Sequence, residues 1–343
     1  MKSSKVKLGS KWVGDGEPVY IIAEGGLTNW GELKLAKKQV DASMAAGADC
    51  VKFQAQTTEE LVSRKVDPYW FKRLKYKELS HGELKKLWDY ASVRNIDCFI
   101  TAHTDVDLDF LDKELNVPFL KVGSGESMNE RFLKNVGSRK KPVVVSLGLH
   151  LNNAEVKKTI STLEKAGAQG IVILHCNTVY PTPPAANHLR RISELKKLFP
   201  EYPIGYSDHT VGNHMVHAAI ALGATVIEKH LSFDVTDKRS FDCPGSCTPD
   251  TLQDLVKEVR EIEAALKDPG KKRIEVVINA RKWAQQSVVA KADIPKGTRL
   301  TASMFSFKRP GVGLGPEETT KLLGKTTKRK ITADELILKK DVR

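Results

Sequence analysis

Apolar residues recur along residues 1 to about 270 in two alternating patterns: short runs rich in Val and Ile, and longer stretches in which they return every three or four positions. Such alternation marks a parallel sheet whose strands are joined by crossover helices. The short runs are VYIIAEG (19–25), DCVKFQ (49–54), DCFITA (97–102), FLKVGS (119–124), PVVVSLG (142–148), IVILHC (171–176), PIGYSDH (203–209) and TVIEKHL (225–231). Eight strands, each followed by a helical stretch, predict an α/β fold of the (β/α)8 TIM-barrel kind rather than an open doubly wound sheet.

The helices carry their own start and stop signals. In residues 31–48 Leu33, Ala36, Val40 and Met44 share one face, and Gly47 ends the run; the same Gly-Ala ending recurs at 167–168 and 223–224. Ser80 stands three residues before Glu83, the spacing of a capping box, and Leu84, Leu87 and Tyr90 to Ala91 form the stripe behind it. The last barrel helix is expected after Thr248 as N-cap, with Leu252, Leu255, Val256, Val259, Ile262 and Leu266 facing inward. The Pro, Gly and basic residues that follow predict a linker, so the organisation reads as a barrel over 1–270, a linker over 271–283 and a small turn-rich domain over 284–343.

Charge supports that division. The 343 residues have a net charge of +13, and the last sixty hold 13 Lys and Arg against 6 Asp and Glu. No RNP, helix-turn-helix or zinc-finger pattern accompanies the basic balance, so no nucleic-acid partner is expected. The first dozen residues lack an apolar run behind their lysines, and no later stretch approaches the ~20 apolar residues of a membrane span. Five cysteines (Cys50, Cys98, Cys176, Cys243, Cys247) without zinc-ribbon spacing point to a reducing compartment, read as the cytoplasm. Cys243 with Cys247, His214 with His217, and the run Lys328 to Lys330 read as loop, helix-surface and solvated-turn residues.

Barrel chemistry sits at the C-terminal ends of the strands. There the chain places Glu24, Lys52, Gln54, Thr101, Lys121, Ser124, Glu126, Ser146, His175, Thr178, Tyr180, Ser207, Asp208, His209, Glu228, Lys229 and His230. His209 and His230 end the seventh and eighth strands, neighbours in a closed barrel, so they could share one divalent cation and leave most of its coordination open to substrate; structural histidines are the plain alternative. Asp208 and Glu228 could orient them or sit behind them. Lys52 and Lys121 with the hydroxyls of Ser124, Ser146 and Ser207 suit a small anion bearing a phosphate and a carboxylate, or one lysine could form a Schiff base.

The strings IIAEGG, VKFQ, KVGSGESMN, LHCNTVYPTP, GYSDHTVG and LGATVIEKHLSFD, in this order over residues 18–266, resemble the sialic acid synthase family, and ADIPKGTRLT with FKRPGVG is similar to the antifreeze-like (SAF) domain that follows the barrel there. The resemblance implies a transferase that condenses phosphoenolpyruvate with an N-acylated hexosamine such as N-acetylmannosamine, giving a nonulosonic acid and phosphate, with manganese or magnesium as cofactor. It implies His209 and His230 as metal ligands and Lys52, Lys121, Ser124, Ser146, Thr178 and Ser207 as the phosphoenolpyruvate site. Glu24 falls beside the reacting centre, Gln54, Glu126, Tyr180 and Asp242 match sugar contacts, and Arg309 matches an arginine delivered into the partner's site of a domain-swapped homodimer.

The chain departs from the family pattern in four places. Thr28-Asn29-Trp30-Gly31 stands for Asn-His-x-Gly, Thr101-Ala102-His103-Thr104-Asp105 for Ser-Thr-Pro-Phe-Asp, Ser146-Leu147-Gly148 for Ser-Thr-Gly, and Ser240-Phe241-Asp242 for Gly-Pro-Asp. Most of these fall on the acceptor side, which predicts retained phosphoenolpyruvate chemistry with a different aldose, and Trp30 could stack on a sugar face or stand exposed at a helix start against a partner subunit. Two rivals stand beside this reading: a pyruvate Schiff-base aldolase, and a non-catalytic scaffold that keeps both domains.

Overall fold

The computed structural model of the chain describes residues 5–343, which divide into two compact units at Leu266 and Lys267. In the first, a hairpin of β1 (Lys5–Leu8) and β2 (Lys11–Gly14) precedes eight parallel strands: β3 (Tyr20–Glu24), β4 (Cys50–Ala55), β5 (Asp97–Ala102), β6 (Leu120–Val122), β7 (Pro142–Ser146), β8 (Gly170–Cys176), β9 (Ile204–Asp208) and β10 (Val226–His230). They pair in the order β5-β4-β3-β10-β9-β8-β7-β6, and β5 and β6 come into contact, so the sheet curls into a near-closed barrel. The TIM-like α/β fold read from the chain is the one observed.

Around it lie α1 (Leu33–Ala45), α2 (Thr58–Leu61), α3 (Pro68–Lys75), α4 (His81–Ser92), α5 (Asp105–Asp109), α6 (Glu130–Ser138), α7 (Asn153–Ala166), α8 (Arg191–Leu198), α9 (His214–Ala221) and α10 (Pro249–Leu266). The Ser80 and Glu83 capping box forms as the spacing predicts. The Thr248 hydroxyl accepts from Thr251 N at 3.3 Å to start α10. Gly47, Gly167 and Gly223 all adopt positive φ (79°, 111° and 100°) at the helix-to-strand turns, a conformation that a Cβ would penalise. Two stripe residues differ from expectation: Met44 is 44% exposed and Leu266 59% exposed, while Gln39 and Ser43 are buried on α1.

Strand alternation explains both cores and the site. Side chains of one parity, including Ile21, Ala23, Val51, Phe53, Val143, Val145 and Ile227, pack outward against the helices. The other parity fills the barrel with Tyr20, Ile22, Cys50, Phe99, Phe119, Val144, Val172, Leu174 and Val226, and Val6, Leu8 and Val13 of the hairpin join this inner core. The Phe99 and Phe119 rings meet at 4.7 Å there, a pairing that adds about 0.5–1.5 kcal/mol beyond area burial. Continuing the inward parity toward the C-terminal ends replaces these apolar residues with Glu24, Lys52, Gln54, Thr101, Lys121, Ser146, Ser207, Glu228 and His230.

The second unit holds α11 (Lys271–Ala284), then β11 (Ser287–Ala290) paired antiparallel with β12 (Phe305–Lys308) around a small core that includes Val288, Ile294, Leu300, Leu322, Ile331 and Ile337. The stretch read as a linker is therefore helical: Lys271 to Ala284 contains no Pro or Gly, and the breakers Pro269 and Gly270 lie just before it. α11 buries none of its residues, and Ile274, Val277, Ile278 and Trp283 are exposed. Lys328 to Lys330 is the solvated turn expected, with Arg329 paired to Asp341 and Glu335, and Lys330 to Asp293.

Candidate active site

A cavity of about 300 Å3 opens at the C-terminal ends of the barrel strands. The strand register assembles its floor. His230 lies opposite Glu24 between β10 and β3, Glu24 opposite Lys52 between β3 and β4, and Glu228 opposite Ser207 between β10 and β9. The Lys52 ammonium is ion-paired to Glu24 and, at 2.8 Å, to Glu228, and Glu228 also accepts from the Ser207 hydroxyl at 2.8 Å.

Charge balance holds these groups. Burial pushes Lys52 down to about 8, with Glu228 pulling it up and Lys121 pushing it further down. Burial alone would raise Glu228, but Lys121 and Lys52 hold its carboxyl well below the usual range. At neutral pH both stay charged, so the floor holds two buried lysines and two buried carboxylates. Lys121 donates to Ser146 Oγ at 2.8 Å. Ser124 lies just beyond β6, where its hydroxyl accepts from Gly148 N at 3.0 Å and meets Cys176 Sγ at 3.3 Å. A Cβ on Gly148 would collide with Thr178 Oγ1, Cys176 Sγ and Ser124 Oγ, so this approach requires glycine.

His209 and His230 stand side by side with ring centroids 5.3 Å apart, and the Tyr180 ring packs 4.2 Å from His209 and 6.1 Å from His230. His209 Nδ1 donates to the Asn177 carbonyl at 2.6 Å; a carbonyl only accepts, so the proton sits on Nδ1 and Nε2 presents its lone pair. Nδ1 of His230 is buried without a partner. Burial pushes His209 down to about 4, helped by the neighbouring His230, and burial lowers His230 as well. Two neutral imidazoles with free nitrogens fit a divalent cation, and among the described residues no third His, Cys, Asp or Glu joins them.

Asp208 and Glu228 do not bond the imidazoles directly, one of the two roles the sequence left open for them. Asp208 pairs instead with Lys229, and Glu228 serves Lys52. The orienting group is the Asn177 backbone, which sequence cannot single out. His175 faces away, bonded to the Asn187 carbonyl at 2.8 Å. His217 pairs with Glu258, and all five cysteines are free and buried.

The other wall comes from the β4–β5 connection and the loop after β10. Asp242 of that loop accepts from Ser240 Oγ at 2.8 Å, and Gln54 of β4, Glu126 after β6 and Tyr180 after β8 also line the cavity. Of the residues expected at the mouth, Glu24 lies just beneath the lining, and Arg309 belongs to the second unit, where it is exposed after β12. Several lining residues were not anticipated as ligands. Thr101 Oγ1 is buried and unpartnered, a hydroxyl two positions from the imidazole of His103. His103 Nδ1 lies 3.2 Å from Glu126 Oε2, and its Nε2 is buried without a partner. Trp70, Arg73, Lys77 and Phe241 complete the wall. Trp30 is not in the lining; its ring sits 4.1 Å from the Arg239 guanidinium and 5.2 Å from the Lys77 ammonium, so it supports cations rather than facing a sugar.

The NeuB family profile matches residues 39–271, and the SAF domain profile residues 285–343. N-acetylneuraminate-9-phosphate synthase of Mus musculus is 37% identical over 97% of this chain and 95% of its own length. N,N'-diacetyllegionaminic acid synthase of Campylobacter jejuni is 34% identical over 92% and 98%. Among solved structures, N-acetylneuraminic acid synthetase of Leptospira borgpetersenii superposes with a TM-score of 0.73 at 31% identity, covering 81% of this chain and 97% of that one.

Proposed function

This chain belongs to the NeuB family and carries a C-terminal SAF domain, and we propose that it condenses phosphoenolpyruvate with an N-acylated hexosamine to give a nonulosonic acid and phosphate. One observation carries the reading: two buried lysines flanked by hydroxyls open onto the same cavity as a pair of neutral imidazoles.

In the proposed reaction C3 of phosphoenolpyruvate attacks the open-chain aldehyde, water adds at C2, and phosphate leaves with cleavage of its C–O bond. Lys52 and Lys121 supply positive charge to the phosphate and carboxylate, and Ser124, Ser146, Thr178 and Ser207 donate around them. Manganese or magnesium held by His209 and His230 would polarise the aldehyde oxygen. Glu24, ion-paired to Lys52 at the floor, is placed to position water or take a proton near the reacting carbons. Gln54, Glu126, Tyr180 and Asp242 hold the acceptor.

A Schiff base on Lys52 would need a neutral amine; burial brings its pKa down to about 8, still above neutral pH, and the two carboxylates beside it hold the ammonium there. We read the assembly as a homodimer with Arg309 reaching the partner's cavity, a reading that the exposed apolar residues of α11 support. No helix among the described residues is long and apolar enough to cross a membrane, and the free cysteines suit a reducing cytoplasm.

The test is phosphate release from phosphoenolpyruvate with manganese across N-acylated mannosamines, their 6-phosphates, diacetamido 6-deoxyhexoses and plain hexoses. Release with one sugar, lost in His209→Ala, supports the synthase. Absence of metal-dependent phosphoenolpyruvate binding would point to a scaffold, and a borohydride-trapped lysine adduct to the aldolase.

A further inference from the structure

Between β4 and β5 the chain makes a long excursion, residues 56–96, and the turn that follows α3 delivers Lys77 to the cavity wall. Lys77 is 3% exposed, yet among the described residues no carboxylate, carbonyl or hydroxyl accepts from its ammonium. It faces only the rings of Trp30 at 5.2 Å and Tyr76 at 5.7 Å. The nearby acids are occupied elsewhere: Asp237 by Arg239 at 2.7 Å, Glu78 by Lys75 at 3.0 Å, and Asp242 by the Ser240 hydroxyl.

Arg73 stands on the same wall. Its guanidinium lies 4.4 Å from the Phe241 ring and 5.8 Å from that of Trp70, donates to Tyr69 Oη and to the Arg239 carbonyl, and keeps a buried Nε without a partner. It too meets no carboxylate among the described residues. Burial pushes Lys77 down to about 8, with Asp242 pulling it up and Arg73 pushing it down. An ammonium on a largely buried side chain with no acceptor is costly, and a second cation beside it adds to that cost. An anion entering the cavity relieves both.

We propose that Arg73 and Lys77 form an anion subsite that recognises a phosphate ester or carboxylate carried by the acceptor aldose away from its aldehyde. This rests on the synthase reading for the identity of the acceptor, while the subsite can be tested without turnover. Lys52 and Lys121 with their hydroxyls already serve the phosphoenolpyruvate at the strand ends, whereas Lys77 and Arg73 sit on the wall shared with Asp242, on the sugar side. The rings of Trp70 and Phe241 flank the Arg73 guanidinium on this wall.

The experiment measures binding by calorimetry, with phosphate release alongside, for N-acetylmannosamine, its 6-phosphate and its 6-carboxylate on the full chain, Lys77→Met and Arg73→Gln. The expected result is at least a tenfold preference of the wild-type protein for one charged sugar over the neutral one, on the order of one charge-assisted contact, falling toward parity in either variant and retained in Lys77→Arg. Whether phosphate or carboxylate binds tighter identifies the source of the anion. Equal or better binding of the neutral sugar, or failure of every sugar to bind, overturns the subsite. Phosphate release with the neutral sugar would then leave the synthase reading intact. Tight binding of a charged sugar without phosphate release from any would keep the subsite and remove the synthase.

Discussion

Lys229 and Asp208 form an ion pair at 2.7 Å with both side chains fully buried, and each residue immediately precedes one of the two site histidines. The Lys229 ammonium also donates to the carbonyls of Thr210 and Gly212, and Asp208 accepts from Tyr206 Oη and Thr210 N. Two carbonyls and one N–H of the backbone just after His209 are thus tied to the pair, so the pair fixes where the imidazole starts from.

Breaking the pair leaves a buried charge unmatched. Asp208→Leu and Lys229→Met are each expected to lower stability by about 3–5 kcal/mol, whereas the two combined should cost less than the sum of the single changes. Urea denaturation of the four proteins measures this coupling; strict additivity would show that the pair does not act as a unit.

The histidine pair predicts a metal phenotype separable from folding. His209→Ala and His230→Ala should each weaken manganese binding at least about a hundredfold, more than the 10–100-fold typical of an outer-shell partner, with a small change in melting temperature. Calorimetry with manganese alone reads this, and undiminished affinity in both variants would remove the site.

Lys52 sets a pH limit on phosphoenolpyruvate binding. Its pKa is lowered to about 8 from the ordinary lysine value of 10.5, so the positive charge that attracts phosphate is present below about pH 8 and lost above it. Affinity should fall as pH rises through that value, and Lys52→Arg, which stays charged, should move the fall to higher pH. The same shift predicts a contribution to stability of the opposite sense: between about 8 and 10.5 the unfolded chain binds the extra proton, so the Lys52 burial penalty, full below pH 8, is relieved as pH rises. Titrating phosphoenolpyruvate affinity from pH 6 to 10 in both proteins decides the first point, since a flat profile contradicts it.

Gly148 tests the close approach on the phosphate side. Gly148→Ala should cost about 1–3 kcal/mol through overpacking against Ser124, Cys176 and Thr178, and weaken phosphoenolpyruvate binding more than sugar binding. Equal losses for the two ligands would indicate general loosening of the mouth instead.

Arg309 gives a test of the dimer. If it completes the partner's cavity, Arg309→Ala and His209→Ala are each inactive alone, and an equal mixture of refolded subunits recovers roughly a quarter of the sites by random pairing. Phosphate release after mixing measures this, and no recovery despite mixed dimers means that Arg309 acts within its own chain or not at all.

His103, Arg73 and Lys77 show what kind of residue escaped the sequence. Lys52, Lys121, His209 and His230 were legible because a strand has a two-residue period: once eight strands are counted, parity and position at the C-terminal end place each side chain in the mouth. Arg73 and Lys77 sit in a 41-residue excursion, 56–96, where no period connects a residue to the cavity. Of the two readings of Trp30, the sugar-stacking one failed for a related reason, since the ring's direction depends on Arg239 and Lys77, both distant in sequence.

What the chain alone determined is the barrel, its strand ends and the group of residues that meets at the mouth, because local periodicity and strand parity act over a few residues; the SAF domain was legible only through the resemblance of its ADIPKGTRLT and FKRPGVG strings. Tertiary structure decided which charge answers which. Glu228 went to Lys52 rather than to a histidine, Asp208 to Lys229, and Lys77 to no acid, because burial and distance across the barrel set the electrostatic partners, and neither is a property of neighbouring residues in sequence.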